Sequence, residues 1–225
     1  MRRCFALLVL VATQAWAQSS GNAPTFRMTG GANLASDFIE QGLTQTENDP
    51  NLQGEFWFNF GPQFRLGLWG SNVRYDSTAS THFWLRLNAD IKIDFGSDAN
   101  FIIKYTDNKF YKENNRNGST LALHLNLGSY RVIYEDESNW EGTSEKATYI
   151  AIGKDTNVGG DYIWNLQAGY TQPEADIKSY FDAHTGLGKK LKDIFVSGHA
   201  TYSNVQGDFE DRGRLTFFLS AAVQF

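Results

Sequence analysis

From about residue 26 onward, apolar and polar positions alternate with a period of two, the repeat of a chain whose side chains point to opposite faces in turn. The cleanest run spans residues 83–95. Phe83, Leu85, Leu87, Ala89, Ile91, Ile93 and Phe95 alternate there with Trp84, Arg86, Asn88, Asp90, Lys92 and Asp94. No helical period of 3.6 fits this order, so the run is predicted to be a strand. At ~3.3 Å per residue and a tilt of ~40° it rises about 30 Å, close to the apolar band of a bilayer plus its aromatic girdles. Strands of ordinary soluble domains reach about half of that.

The same pattern predicts further strands over residues 26–40, 51–60, 63–75, 100–111, 120–127, 130–135, 146–154, 161–171, 180–188 and 194–203. Residues 146–154 do not declare a face, because Ile150 and Ile152 compete with Tyr149 and Ala151. A last strand over residues 215–225 sets Leu215, Phe217, Leu219, Ala221, Val223 and Phe225 against Thr216, Phe218, Ser220, Ala222 and Gln224, with Phe218 as the one large apolar residue on the polar side. The connections fall into two alternating sets. Gly61 with Pro62, 96–99, 128–129, 155–160 and 189–193 are mostly short, whereas 41–50, 76–81, 112–119, 135–145, 172–179 and 204–212 are mostly longer and polar.

About twelve strands joined alternately by short turns and longer loops predict an all-β fold, an up-and-down antiparallel barrel in which the last strand pairs with the first. After the first residues, no apolar run approaches the ~20 residues of a spanning helix, so a membrane reading requires closed strands. The apolar faces are then predicted to meet outer-membrane lipid. The opposite faces carry Arg27, Glu55, Arg65, Arg86, Asp90, Lys92, Asp94, Lys104, Arg131, Glu135, Asp182 and Arg214. So many charges in a dry core would be prohibitive unless every one were paired, which predicts a wet interior.

The opening residues change the domain picture. Arg2 and Arg3 precede an apolar run over residues 4–12, and Ala15 and Ala17, flanking Trp16, supply small residues for cleavage, the pattern of a secretory signal peptide over residues 1–17. Residues 18–225 are then a single domain without linker or composition shift. Removing the signal takes the only cysteine, Cys4, so disulfides, thiolate ligands and a cysteine nucleophile are excluded from the mature chain. It also takes two arginines from a chain whose formal charge is already −5. Scattered basic residues on an acidic background speak against a nucleic-acid partner.

Two stretches carry a resemblance. Ser36, Asp37 and Phe38, then Gly42, Leu43, Thr44, Gln45 and Thr46, then Asp49 through Gly54 form the first, and Leu68, Trp69, Gly70, Ser71, Asn72 and Val73 form the second. Together they resemble the TorF-type family of bacterial outer-membrane porins. The chain departs from that pattern at Ile39 and Gln41, where the family has arginine, and at Glu40, where it has a second aromatic. The resemblance implies a porin barrel in the outer membrane of a Gram-negative cell, and the last strand likewise resembles the closing strand of such barrels.

The resulting expectation is a passive diffusion channel for small hydrophilic solutes, without cofactor or metal, lined by Glu55, Arg65, Arg86, Asp90, Lys92 and Lys104. A closed barrel with a structural or surface-contact role is the alternative. Simple register places Lys92 within about two residues of Arg65 on one neighbouring strand and of Lys104 on the other, which makes a basic stripe unless Asp90, Asp94 and Glu55 neutralise it. Trp57, Trp69 and Trp84 point inward on consecutive strands, as a stacking surface or as filling. His124 faces the interior, and His199 has Thr201 and Ser203 nearby, but no nucleophile motif accompanies either, so no enzyme is expected.

Overall fold

The computed structural model describes residues 26–75, 82–112, 114–174 and 177–225. The signal peptide expected over residues 1–17 and the loop expected over 76–81 lie outside the described residues. Fourteen strands follow one another: β1 Phe26–Ala35, β2 Ile39–Glu40, β3 Leu43–Thr44, β4 Asn51–Phe60, β5 Phe64–Val73, β6 His82–Asp94, β7 Ala99–Tyr111, β8 Gly118–Leu127, β9 Tyr130–Glu137, β10 Ala147–Gly159, β11 Tyr162–Pro173, β12 Tyr180–Leu191, β13 Ile194–Ser203 and β14 Thr216–Gln224. Twelve of them, all but β2 and β3, close into one antiparallel barrel in which each strand pairs with its neighbours in sequence. The seam between β1 and β14 runs from Gly31 opposite Gln224 to Ala35 opposite Ser220. Gly30 and Phe225 extend it by exchanging two backbone bonds of 2.8 and 2.9 Å.

The barrel is apolar outside and polar inside. Leu52 is 62% exposed and Phe217 73%, whereas Asp90 is 1% exposed and Asn51, Ser71 and Thr171 are fully buried. A water-soluble barrel would show the reverse, and the surface of this one is the continuous apolar band that a bilayer covers. Ile150 and Ile152 point outward while Tyr149 and Ala151 are buried, which settles the face of β10. Phe218 lies on the inner face, as its place in the alternation requires, and stacks on His199 with ring centroids 4.6 Å apart. No helix among the described residues is long and apolar enough to cross a membrane.

Several boundaries differ from those the sequence predicts. β10 continues to Gly159 and β12 to Leu191, so their hairpins turn within a residue or two. The polar residues that had suggested loop there have partners on the wall: Asn165 Nδ2 donates to Asp155 Oδ1 at 2.6 Å. The larger correction concerns residues 36–40, which do not continue β1. The chain leaves the wall at Ser36, whose amide donates to the Leu219 carbonyl at 2.9 Å and whose Oγ accepts from the Leu219 amide at 3.0 Å. It then folds inward as the β2–β3 hairpin.

Candidate functional site

The inward hairpin is built from local rules. Glu40 pairs with Leu43, leaving Gln41 and Gly42 as a two-residue turn. Both have positive φ, 47° and 77°, as a type I′ hairpin demands. The Asp37 carboxylate fastens its base, with Oδ1 accepting from the Phe38 amide at 2.8 Å and from the Thr44 and Thr46 hydroxyls at 2.6 and 2.7 Å. Burial raises the Asp37 carboxyl above its ordinary value, against the lowering effect of these bonds. A Cβ at Gly42 would lie 2.5 Å from Asp182 Cβ and 2.8 Å from Ser203 Cβ, so only glycine lets the tip rest on the wall of β12 and β13.

One side of the hairpin is anchored to the loops at its end of the barrel. Leu43 is fully buried in an apolar cluster with Trp140, Ala147, Tyr180 and Val205. Arg212 Nε donates to the Thr44 carbonyl at 2.9 Å, the Arg74 amide to the Gln45 carbonyl at 2.8 Å, and Tyr180 Oη to the Gln41 carbonyl at 3.1 Å. Gln45 Nε2 donates at 3.1 Å to Glu141, which is held by Arg116 at 2.5 Å and Arg212 at 2.8 Å. Burial alone would push the Glu141 carboxyl up. The two guanidiniums, with hydrogen bonds from Arg212 and Gln45, outweigh it and hold the group at about 2.

The two stretches that carry the family resemblance meet at this anchor. Asn51 Nδ2 donates to Ser71 Oγ at 2.6 Å and to the Asn72 carbonyl at 2.7 Å, and Asn72 Nδ2 donates to the Pro50 carbonyl at 3.0 Å. Arg74 pairs with Asp49 at 2.5 Å. The motif residues therefore tie the root of the hairpin to β4 and β5.

The other side of the hairpin faces the wall of β5 to β9. The Phe38 ring packs 5.6 Å from Trp69 and 6.1 Å from Trp84, which meet each other edge to face. Glu40 pairs with Arg86, whose guanidinium carbon lies 3.9 Å from the Trp84 ring centre and 4.5 Å from that of Trp69. Burial raises the Glu40 carboxyl, and Arg86 acts against that. Gln41 Nε2 donates to Glu135 Oε2 at 3.1 Å and also to Glu137. The chamber left here has a volume of about 70 Å³ and is bordered by Glu40, Gln41, Arg86, Lys104, Glu135 and Glu141. That is room for a few waters. A sugar does not fit while the hairpin is in place.

Toward the short turns the interior widens to a vestibule of about 350 Å³, lined by Asn59, Arg65, Asp90, Lys92, Asn100 and Asn126. Arg65 pairs with Asp90 at 2.7 Å and lies 4.1 Å over the Trp57 ring, and Trp57 Nε1 donates to Glu55 at 3.0 Å. Lys92 pairs with Asp94 at 2.8 Å.

Of the six residues singled out from sequence, Arg86 and Lys104 thus border the chamber, Arg65, Asp90 and Lys92 line the vestibule, and Glu55 lies beside Gln53 and Trp69, bordering neither. The expected stripe is interrupted: Asp90, not Lys92, stands in register between Arg65 and Lys104. Lys92 is opposite Ile102, two residues from Lys104. The inward tryptophans serve as platforms for Arg65, Arg86 and Phe38. His124 lies 3.8 Å from Glu135, and the neighbours of His199 are Ser197 at 2.8 Å and His184 at 3.0 Å, in place of Thr201 and Ser203.

Sequence reasoning missed Glu40, Gln41, Gln45, Glu137, Glu141, Arg116 and Arg212 as interior residues. The available signal was the turn pair Gln41 and Gly42, flanked by Asp37 and by the hydroxyls of Thr44 and Thr46.

No family model and no curated protein matches the chain. Solved structures do match its fold. The KdgM porin aligns with a TM-score of 0.58 at 10% identity over 88% of this chain and 98% of its own. The NanC porin aligns with a TM-score of 0.60 at 9% identity over 88% and 99%. The outer-membrane protein Omp33 of Acinetobacter baumannii aligns with a TM-score of 0.53 at 8% identity over 91% and 100%. At these identities the likeness is one of fold: the chain is a twelve-strand antiparallel barrel of the kind that outer-membrane porins have.

Proposed function

We propose that the protein is an outer-membrane channel that admits small hydrophilic solutes by passive diffusion, in keeping with the resemblance of residues 36–73 to TorF-type porins. One observation carries the reading: an apolar outer surface encloses a lumen with unfilled space and charged groups on both sides of an inward hairpin. Residues 1–17 are the export signal and are removed. Both ends of the barrel domain and the short turns face the periplasm, which puts the hairpin and the long loops at the outer face. Glu55, Arg65, Arg86, Asp90, Lys92 and Lys104 line the route, with the chamber beside Glu40 as its narrowest part. The protein performs no chemistry on the solute.

The depth at which Leu43, Thr44, Gln45 and Thr46 are buried favours a second reading, a closed barrel whose outer loops are the working surface. Liposome swelling separates the two. A channel swells liposomes faster with a pentose than with a disaccharide and conducts KCl in planar bilayers, whereas a closed barrel does neither.

A further inference from the structure

The inward segment supplies one sign of charge only. Residues 36–50 contain four carboxylates, Asp37, Glu40, Glu47 and Asp49, and no lysine or arginine. The acids at its tip and root meet cations of the barrel: Glu40 meets Arg86, and Glu47 and Asp49 meet Arg74. The Arg86 site is more than an ion pair. Its guanidinium is held against two indoles, a geometry that presents the remaining donors to an anion and leaves ring surface beside it for a flat group. Phe38 and Glu40, two residues apart and so on one face of the hairpin, fill both parts, the ring against Trp69 and Trp84 and the carboxylate on Arg86.

We propose that Phe38 and Glu40 are an internal stand-in for a ligand, and that the cradle of Arg86, Trp69 and Trp84 binds ring-bearing carboxylates that displace the hairpin. The inference rests on the channel reading for its purpose but not for its chemistry. A chamber of about 70 Å³ takes no such molecule while Glu40 is seated, so occupancy by solute and by hairpin exclude each other. Lys104 lies in the same chamber and adds a second cation to the vacated cradle.

The test uses the folded barrel in detergent micelles, its fold verified by the mobility of unboiled samples, with tryptophan fluorescence as the readout. Wild type, Glu40→Gln and the double variant Glu40→Gln/Arg86→Gln are titrated with 3-phenylpropionate, and with the neutral 3-phenylpropionamide as control. The double variant replaces both members of the ion pair by amides and so strands neither charge of that pair. If Glu40 holds Arg86 about nine-tenths of the time, releasing it raises the apparent affinity about tenfold. Glu40→Gln is therefore expected to bind the acid about ten times more tightly than wild type, the double variant to lose that gain, and the amide to bind none of the three. A parallel titration with glucuronate against glucose tells an aromatic acid from a sugar acid as the preferred source of the carboxylate. Equal affinity in wild type and Glu40→Gln, or a gain that survives in the double variant, overturns the proposal even if the barrel conducts. The gain in a barrel that conducts no KCl upholds the cradle and removes the channel reading instead.

Discussion

Arg65 Nη2 lies 2.7 Å from Asp90 Oδ2 across β5 and β6, and the same guanidinium covers the Trp57 ring at 4.1 Å. Asp90 also stands opposite Lys104 on β7, so one buried carboxylate separates two cations that would otherwise face each other along the wall. Asp90→Asn keeps the shape and removes the charge. It is expected to raise the preference for anions, seen as a shift of the reversal potential toward the chloride limit in a KCl gradient. If the reversal potential stays where it is, Arg65 and Lys104 do not face permeating ions.

Gly42 offers a way to move the hairpin without touching a charge. Its φ of 77° costs a residue with a side chain roughly 1–2 kcal/mol, and the new Cβ would collide with Asp182. Gly42→Ala is expected to push the tip off β12 while leaving the wall intact, because the ladder bonds of the twelve strands do not involve it. Single-channel conductance should rise and the heat-modified gel shift should persist. A variant with native conductance and a native shift would mean that the hairpin is not the constriction.

The barrel was legible because lipid and lumen select opposite chemistry, and residues 83–95 alternate without a fault. The hairpin was not, for a local reason and a distant one. Phe38 and Glu40 keep the same alternation as β1, so nothing in the period marks the point at Ser36 where the chain leaves the wall. What draws it inward are partners far along the chain, Glu141 for Gln45 and Tyr180 for Gln41. Tyr149 shows the same limit on a smaller scale. Its ring suits either face, and the inner one is chosen by its hydroxyl, which accepts from Gln167 at 3.1 Å and donates to Asp182 at 3.4 Å. Alternation assigns a face to each candidate lining residue, but their pairing depends on a register that alternation alone leaves open by two.

Leu87 and Asn88 are neighbours on β6 with opposite surroundings, Leu87 exposed on the outer band and Asn88 buried inside against Thr106. A lysine at the lipid midplane costs about 2–4 kcal/mol in a barrel of this kind. Leu87→Lys is therefore expected to reduce the folded fraction on refolding into lipid vesicles, while Leu87→Phe is tolerated. In a water-soluble barrel a lysine on that surface would be harmless, so unimpaired refolding of Leu87→Lys would exclude the membrane reading.

The loop end should loosen in acid, and Glu141 sets the range. Its carboxyl titrates at about 2 in the folded protein against 4.5 for a free glutamate, because Arg212 and Arg116 overcome the opposing effect of burial. A group depressed on folding stabilises the folded state at every pH above its unfolded value, and that contribution fades as the pH falls from 4.5 toward 2. The shift corresponds to roughly 3 kcal/mol at neutral pH. Glu141→Gln is expected to lower the melting temperature at pH 7 and to flatten its decline between pH 5 and pH 2, measured by circular dichroism in detergent. Because Glu141 also accepts from Gln45, the variant should weaken the hairpin anchor, and limited proteolysis at neutral pH should cut within residues 36–50 faster than in wild type. A melting curve as steep in acid as that of the wild type would show that the two arginines do not depend on Glu141 for their place.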